Sequence, residues 1–356
     1  MMRICYFGIY DPEYARNQVL IGGLKENGVA VIECRVDPRK YPGLSKYWNL
    51  WRAGLKIRKR ETFDYIIVGF PGQSVYWIAY LLWGKRAVLD MFVSLYDTNV
   101  LDRKLYGRLN IRCFRDWFYD WYSIHLASYI LLDTREHIKY ISDIFSIPEQ
   151  KFVCVPVSAN IAIFHPQLTP PHKNFIVGFT GMLAPIHGVE YIIKAAEILR
   201  NHADIKFVIV GSGQDEKRLT KMLLGLNLGN KVTLLPSVPQ EELPKIISGF
   251  DVCLGIFSDS KKAARVILNK FYHYIAMQRP VITSHSNAMQ EQFTVEEDYI
   301  GIRCADSEDL AQKILLLYTQ PERAREVAKS AHYKFLQELT PAKVTKKLLA
   351  NLPESL

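Results

Sequence analysis

The chain consists of short apolar runs that alternate with longer amphipathic stretches. In the N-terminal half the runs are rich in β-branched and aromatic side chains, which is typical of strands, and helical patterns separate them. The first helical pattern, Glu13 to Asn27, ends before Gly28, a residue type that readily takes the left-handed conformation at a helix end. The strands predicted in this half are Arg3–Ile9, Val29–Cys34, Tyr65–Val68, Ala87–Leu89, Tyr129–Leu132 and Phe152–Val155.

The alternation stops near residue 166 and restarts beyond it. The segment PQLTPPHKN, residues 166–174, contains three prolines and little apolar character, which is typical of a linker. The elements predicted after it are the strands Ile176–Phe179, Lys206–Val210 and Val232–Leu235 and the helices Val189–Arg200, Glu216–Leu224 and Glu241–Ile247.

Strand–helix alternation at this spacing predicts parallel sheets that helices cover on both faces. We therefore predict an α/β fold with two Rossmann-like domains, residues 1–166 and 175–335, joined by a linker at 167–174 and facing each other across a cleft. Residues 336–356 have a polar-amphipathic helical pattern, and we expect this helix to cross back and brace the N-terminal domain.

A βαβ unit around residues 254–284 carries the most informative charge pattern. A strand pattern, Asp251 to Ile256, leads through a basic loop into a helix, and a second apolar run, Val281 to Thr283, follows. From Ser258 to Arg279 there are five basic residues and one acid. Backbone N–H groups and the helix dipole add to such side-chain charge, so the loop predicts a phosphate site at the carboxyl edge of a sheet. On composition alone, a solvated basic helix face explains the same charges.

Composition narrows the possible classes. A chain of 356 residues is long enough for about two domains. The six cysteines are far apart, without C-x-x-C spacing, and most lie in apolar runs, which indicates a reducing compartment. Residues 1–10 form a strand pattern rather than a signal peptide, and the longest apolar run, Val75 to Trp83, is too short to span a bilayer.

The net charge of +9 is compatible with several anionic partners. No nucleic-acid-binding motif is present and the basic residues lie in separate clusters, so we expect no nucleic-acid partner. An anionic substrate or an anionic membrane surface accounts for the same excess.

Four blocks of the second half occur in a characteristic order. They are VGFTGMLAPIHGVEYIIKAA (177–196), FVIVGSGQDEKRL (207–219), KVTLLPSVPQEELPKII (231–247) and the unit from Leu254. With them, the chain resembles the family-4 retaining glycosyltransferases, which have the two-domain GT-B fold. FGIYDPEYARN (7–17) and LDMFVSLYDT (89–98) resemble a prokaryotic branch of that family.

The chain departs from the family pattern at four side chains. Met182 and His187 stand where the family usually has the Arg and Lys that hold the donor diphosphate, and Arg265 and His273 stand where it has paired glutamates. The chain thus resembles a variant that lacks these glutamates, in which Lys270 and Arg265 meet the diphosphate charge. The donor-binding residues that we predict are Gly8, Gly181, His187, Gly213, Val238, Lys262, Arg265, Asn269, Lys270 and His273.

The acceptor side is predicted from the first domain. Asp90 and Asp97 follow the strand Ala87–Leu89, at the carboxyl edge of the sheet, where a carboxylate can orient or deprotonate an acceptor hydroxyl. We predict both as catalytic, although aspartates in loops are more often solvated or cap a helix. No D-x-D pair is present in these loops, and we expect neither a metal nor a cofactor.

A membrane-contact segment is predicted at residues 46–60, KYWNLWRAGLKIRKR, which holds six basic residues and no acid. Basic residues mixed with Trp suit an anionic bilayer interface. The alternative is that the aromatic rings are core and the charges are solvated. The predicted contact residues are Trp48, Trp51, Arg52, Lys56, Arg58 and Lys59.

The resemblance implies a retaining glycosyltransferase. Its donor would be a UDP- or GDP-linked sugar, and its acceptor a lipid-linked or saccharide molecule at the cytoplasmic face of the cell membrane, as in polysaccharide or glycolipid assembly. Two alternatives stay open: a non-catalytic GT-B protein that binds nucleotide sugars as a scaffold subunit, and a nucleotide-sugar epimerase on the same fold.

Overall fold

The computed structural model describes residues 1–107, 109–168 and 172–352. Internal contacts divide the chain into two compact units. The first contains residues 1–160 together with the C-terminal residues from 339, and the second contains residues 161–338. The boundary after residue 160 lies six residues before the predicted domain end at 166. Residues 169–171 of the predicted linker lie outside the described residues.

The first unit contains a six-stranded parallel sheet of order β2-β1-β3-β4-β5-β6. β1 pairs with a strand on each side, and its Cys5 lies opposite Ile32 of β2 and opposite Ile66 of β3. The fourth strand extends three residues beyond the predicted Leu89, with a register irregularity between Asp90 and Phe92. The strands are β1 Arg3–Gly8, β2 Ala30–Arg35, β3 Tyr65–Val68, β4 Ala87–Phe92, β5 Tyr129–Leu132 and β6 Phe152–Cys154.

Helices cover both faces of this sheet, because its strands are apolar on both sides. They include two amphipathic helices of sixteen residues each, α2 and α4. The helices of this part are α1 Ala15–Glu26, α2 Ser45–Arg60, α3 Tyr76–Trp83, α4 Ile111–Leu126 and α5 Arg135–Phe145.

The second unit repeats the architecture with another six-stranded parallel sheet, of order β12-β11-β10-β7-β8-β9. Its strands are β7 Phe175–Thr180, β8 Ile205–Val210, β9 Val232–Leu235, β10 Val252–Leu254, β11 Val281–Ser284 and β12 Ile300–Ile302. Its helices are α6 Val189–Ile198, α7 Glu216–Gly225, α8 Leu243–Ile247, α9 Asn269–Ala276, α10 Asn287–Gln290, α11 Ser307–Thr319 and α12 Pro321–Lys334. The predicted α/β fold with two Rossmann-like domains is confirmed.

The last helix, α13 (Pro341–Asn351), packs on α1 of the first domain. Asn27 donates to the carbonyl of Ala342 over 2.8 Å and to the Thr345 hydroxyl over 2.9 Å. A Cβ at Gly23 would lie 2.2 Å from the carbonyl oxygen of Pro341, so only glycine allows this approach. The predicted brace is therefore present, and residues 353–356 of the predicted segment lie outside the described part.

Two predicted elements differ in extent. The helix expected at Glu241–Ile247 begins with a 3₁₀ turn, Gln240–Glu242, and becomes α-helical at Leu243 because Pro244 fits the first turn of a helix. β10 ends at Leu254 rather than Ile256, which leaves more chain for the loop before α9. Over the described ranges, none of the helices has both the length and the apolar character needed to cross a bilayer.

Candidate functional site

The site of the second domain lies at the point of its sheet where the strand order reverses. β7 and β10 are neighbours in the sheet although they are distant in sequence, and the chain builds outward from them to both edges. Ligands of such sheets bind beyond the carboxyl ends of the strands at this point. The loops after β7 and β10 meet there through a small apolar cluster of Ala184, Ile186, Ile256, Ala263 and Val266.

This edge collects most of the predicted donor-binding residues. They follow β7, β8, β9 and β10 or lie in α9, and all of these strands are parallel. Gly8 is the exception, because it ends β1 of the first domain. The predicted residues at the edge are Gly181, His187, Gly213, Val238, Lys262, Arg265, Asn269, Lys270 and His273.

Glycines permit the loops after β7 and β8 to touch backbone to backbone. A Cβ at Gly211 would lie 1.8 Å from the carbonyl oxygen of Gly181, and a Cβ at Gly213 would lie 2.4 Å from that of Leu183. Gly181 itself has φ of 139°, and a Cβ there would lie 2.9 Å from the Lys270 Nζ. The close approach brings the backbone after β7 beside the Lys270 ammonium group.

Lys270 and His187 form the centre of this site. His187 ends the 3₁₀ turn Pro185–His187 and Lys270 lies in the first turn of α9, and their Nδ1 and Nζ atoms are 3.0 Å apart. Both side chains are buried. The Lys270 Nζ also lies 3.5 Å from the ring centroid of Phe179, a cation–π contact from β7.

Burial lowers the pKa of Lys270 well below its ordinary value. No carboxylate of the described residues forms an ion pair with it, which is unusual for a buried lysine. The N-cap of α9, Leu268, gives no side-chain hydrogen bond, so the first N–H groups of the helix have no cap of that kind. A cation and a helix N-terminus without a side-chain cap form an environment that favours an anion.

His273 lies one turn after Asn269 and is buried in a neutral form. Burial and the nearby charge of Lys270 lower its pKa from 6.5 to about 3. Its ring stacks on Phe164, with centroids 3.8 Å apart and an interplanar angle of 5°. The Nε2 atom has no hydrogen-bond partner among the described residues, and it is therefore able to bond to a ligand hydroxyl or oxygen.

The other predicted donor residues at this edge differ in burial. Arg265 is half-buried in the 3₁₀ turn Ala263–Arg265, and its amide donates to the carbonyl of Lys262 over 3.0 Å. Lys262 is buried, and Asn269 and Val238 are half-buried. Sequence reasoning missed Phe164 and Phe179, which carry no signal beyond their apolar character.

The first domain places the predicted catalytic residue Asp90 in its core. Asp90 and Arg16 are both fully buried, with Nη2 and Oδ1 3.0 Å apart. Arg16 also donates to the carbonyl of Val155 over 2.7 Å. Burial lowers the pKa of Arg16, but the charge and hydrogen bonds of Asp90 outweigh this and raise it, and burial also raises the pKa of Asp90 although Arg16 opposes this. This geometry gives Asp90 a structural role and no access to an acceptor.

Asp97 is also buried, at the start of a π-helical turn, Asp97–Asp102. Tyr140 donates to its Oδ1 over 3.1 Å. Its catalytic role stays a prediction. The loop before it is held by Asp120 of α4, which accepts from the Ser94 hydroxyl over 2.7 Å and from the Tyr96 amide over 2.9 Å. Burial raises the pKa of Asp120 to about 7.

The predicted membrane-contact residues divide into two groups on α2. Trp48 is 62% exposed, and the four basic side chains Arg52, Lys56, Arg58 and Lys59 are exposed. Trp51 is half-buried and lies 6.4 Å from Trp77 of α3, centroid to centroid, so it belongs to the packing of the domain. An exposed row of aromatic side chains that the sequence analysis did not select lies on α4: Phe114, Trp117, Phe118 and Trp121, here called the aromatic face.

Comparison with known proteins relates the second domain to a family. Residues 160–334 match the family model described as glycosyl transferases group 1. This range coincides closely with the unit 161–338 that carries the Lys270 site. The structural elements that hold the site, β7 to α12, all lie within the matched range.

A curated protein to which part of the chain is similar is the alpha-D-kanosaminyltransferase of Streptomyces kanamyceticus. It is 28% identical over 159 residues, which are 44% of this chain and 39% of that protein. The chain therefore spans less than half of the length of this relative. The identity is too low and the match too short to carry the relative's substrates over to this chain.

Solved structures share the fold over nearly the whole chain. Sucrose-phosphate synthase from Thermosynechococcus elongatus has a TM-score of 0.75 at 14% identity, covering 98% of both chains. Anabaena HepE in complex with UDP-glucose has a TM-score of 0.70 at 15% identity, covering 99% of this chain and 100% of that one. A glycosyltransferase from Rickettsia africae has a TM-score of 0.69 at 15% identity, covering 98% and 97%.

Proposed function

We propose that the chain is a retaining glycosyltransferase that takes its sugar from a nucleotide diphosphate. The observation that carries this is the buried Lys270, which faces the His187 imidazole and the Phe179 ring instead of a carboxylate, beside the start of α9. A diphosphate would supply the missing negative charge. Because HepE was solved with UDP and with UDP-glucose, a uridine-linked donor is the first to test.

The chemistry follows from the charge at the site. As the bond between the sugar and the diphosphate breaks, negative charge grows on the departing phosphate oxygens, and Lys270 with the N–H groups of α9 stabilises it. The same phosphate oxygen takes the proton of the acceptor hydroxyl, so that the sugar is transferred with retention. This route requires no carboxylate base. It therefore agrees with the burial of Asp90 in an ion pair with Arg16.

We also propose that the acceptor is a lipid-linked or saccharide molecule at the inner face of the cell membrane. The support is the surface of the first domain, where the basic side chains of α2 and the aromatic face of α4 are exposed. Trp residues next to Lys and Arg suit the boundary between lipid headgroups and acyl chains.

A donor panel tests the transferase. The purified chain is incubated with UDP- and GDP-sugars, with and without lipid extract, and release of the nucleoside diphosphate is measured. We expect release from at least one donor that depends on the extract. Binding of nucleotide without release from any donor would favour the scaffold alternative, which the absence of the four usual family side chains supports. Donor conversion without any acceptor would favour the epimerase.

A further inference from the structure

An apolar cavity of about 560 Å³ lies in the first domain between α2, α3 and α4. This volume is within the range of small-molecule sites, about 300–1,000 Å³. Ser74 contributes to its wall just before α3. The remaining lining residues are Leu44, Tyr47, Trp77, Phe118, Tyr119 and Tyr122.

The wall exposes far more apolar than polar surface. Tyr122 donates its hydroxyl to the carbonyl of Gln73, and the Tyr47 and Tyr119 side chains interact with each other. The aromatic rings, rather than the hydroxyls, are therefore left to contact a ligand. A site of this kind binds hydrocarbon through the area that it removes from water and offers little to a sugar or a phosphate.

The aromatic face continues directly from the cavity. Phe118 belongs to both, and its ring centroid lies 6.4 Å from that of Phe114 and 6.1 Å from that of Trp121. Phe114 is 65% exposed. A contiguous group of exposed aromatic side chains such as the aromatic face marks an interaction surface rather than an ordinary solvated helix.

The charges beside the cavity select a lipid over a protein as the occupant. Trp48 of α2 is exposed, and Arg52 and Lys56 follow it at successive spacings of four residues, so the three form one column along the helix surface. An anionic headgroup suits this column, while the chain attached to it suits the apolar wall.

We infer that this cavity binds the hydrocarbon chain of an anionic lipid, and that the lipid is the carrier of the acceptor. The second part rests on the proposed function, and the first does not. The cavity would thus draw the chain of the acceptor out of the bilayer, while the aromatic face stays at the membrane boundary.

Binding of n-alkyl phosphates with six, eight and ten carbons, below their micelle concentrations, tests the cavity without donor or turnover. Each added methylene is worth roughly a fourfold gain in affinity when it is buried. We expect the dissociation constant to fall by about this factor per carbon in calorimetric titrations. Loss of the quenching of tryptophan fluorescence by a chain with a terminal bromine in Trp77→Phe, relative to wild type, reports contact with Trp77.

Two variants block the cavity in different ways. Ser74→Phe adds a ring to the wall, and Leu44→Asp adds a charge at a position that is 83% exposed and so has little effect on folding. Leu81→Phe is the matched control, because Leu81 is exposed on α3, the helix that follows Ser74, and lies outside the wall. We expect Ser74→Phe and Leu44→Asp to lose the dependence on chain length, and Leu81→Phe to keep it.

Two results would overturn the inference: an affinity that does not change with the length of the alkyl chain, or binding of alkyl phosphates that survives in both cavity variants. So would a protein that binds phosphatidylglycerol vesicles but no alkyl phosphate, because the aromatic face would then act by surface insertion alone. Chain binding with the expected length dependence, in a protein that transfers no sugar from any donor, would contradict the transferase and support the hydrocarbon site.

Discussion

Replacing His273 by phenylalanine tests whether the centre of the donor site is dry and neutral. The His273 ring is 7% exposed and lies flat on Phe164 at a centroid distance of 3.8 Å. Phenylalanine keeps a planar ring in this stack but cannot take up a proton. The variant therefore isolates the titration of the imidazole from its packing.

The expected effect follows from the lowered pKa. In the unfolded chain the His273 imidazole binds a proton below about pH 6.5, while in the folded protein its pKa is about 3. The unfolded state thus binds more protons across this range, and stability is lost as the pH falls from 6.5 toward 3. Between pH 7 and pH 4.5 this linkage amounts to about 2.5 kcal/mol of unfolding free energy.

Urea unfolding of the wild-type chain and of His273→Phe at pH 7, 5.5 and 4.5 measures this linkage. Other groups titrate in both proteins, so the informative quantity is the difference in unfolding free energy between them. We expect this difference to move by about 2.5 kcal/mol in favour of the variant at pH 4.5. His165→Phe, at an exposed position near Phe164, controls for the loss of a histidine as such.

A difference between wild type and His273→Phe that does not change with pH would refute the reasoning. It would mean that water reaches the His273 imidazole, which is buried in the structure. A dry site matters for the proposed chemistry, because hydrogen bonds and charges act more strongly where water is excluded.

Three further predictions concern the buried charges and the close backbone contact. Lys270→Met should weaken UDP binding in calorimetric titrations by about ten- to 150-fold, because it removes a charge-assisted hydrogen bond. Lys261→Met, which replaces an exposed lysine of the loop before α9, is the control and should bind UDP normally. Equal affinities of the two variants would exclude Lys270 from the site. Asp90→Asn should lower the unfolding free energy by about 3–5 kcal/mol because it leaves Arg16 buried without its counter-charge; lost activity at full stability would instead restore Asp90 as catalytic. Gly211→Ala should lower the unfolding free energy by at least about 1–3 kcal/mol, because its Cβ would lie 1.8 Å from the carbonyl oxygen of Gly181. An unchanged unfolding free energy in urea titrations would contradict that contact.

The fold was predictable because apolar periodicity and parallel β–α alternation are local signals. Strands such as β3 and β9 have their predicted bounds, and the basic loop before α9 lies at the predicted edge. The burial of Asp90 was not predictable in the same way, because its partner Arg16 is 74 residues away. The stack of Phe164 on His273 joins positions that are likewise distant in sequence.

The exposed side chains of α4 show a different limit. Phe114, Trp117, Phe118 and Trp121 recur at helical spacing, and such a stripe in a sequence is most often a core-facing stripe. In the structure the helix instead buries its polar side, where Asp116 and Asp120 bind Tyr106 and the loop after β4. Only the tertiary contacts of these carboxylates reveal which side of the helix faces the core.

Arg16 in the first domain and Lys270 in the second are both buried, and their environments explain why only Lys270 suits a ligand. Arg16 is surrounded by Asp90 and by the carbonyls of Val155 and Pro156, so its charge and its N–H groups are satisfied within the fold. Lys270 faces the His187 imidazole and the Phe179 ring, neither of which supplies a negative charge. A buried cation without a counter-charge costs free energy that an arriving diphosphate would remove. Binding would also raise the Lys270 pKa again, so nucleotide should bind more tightly as the pH falls through the lowered pKa, with uptake of a proton.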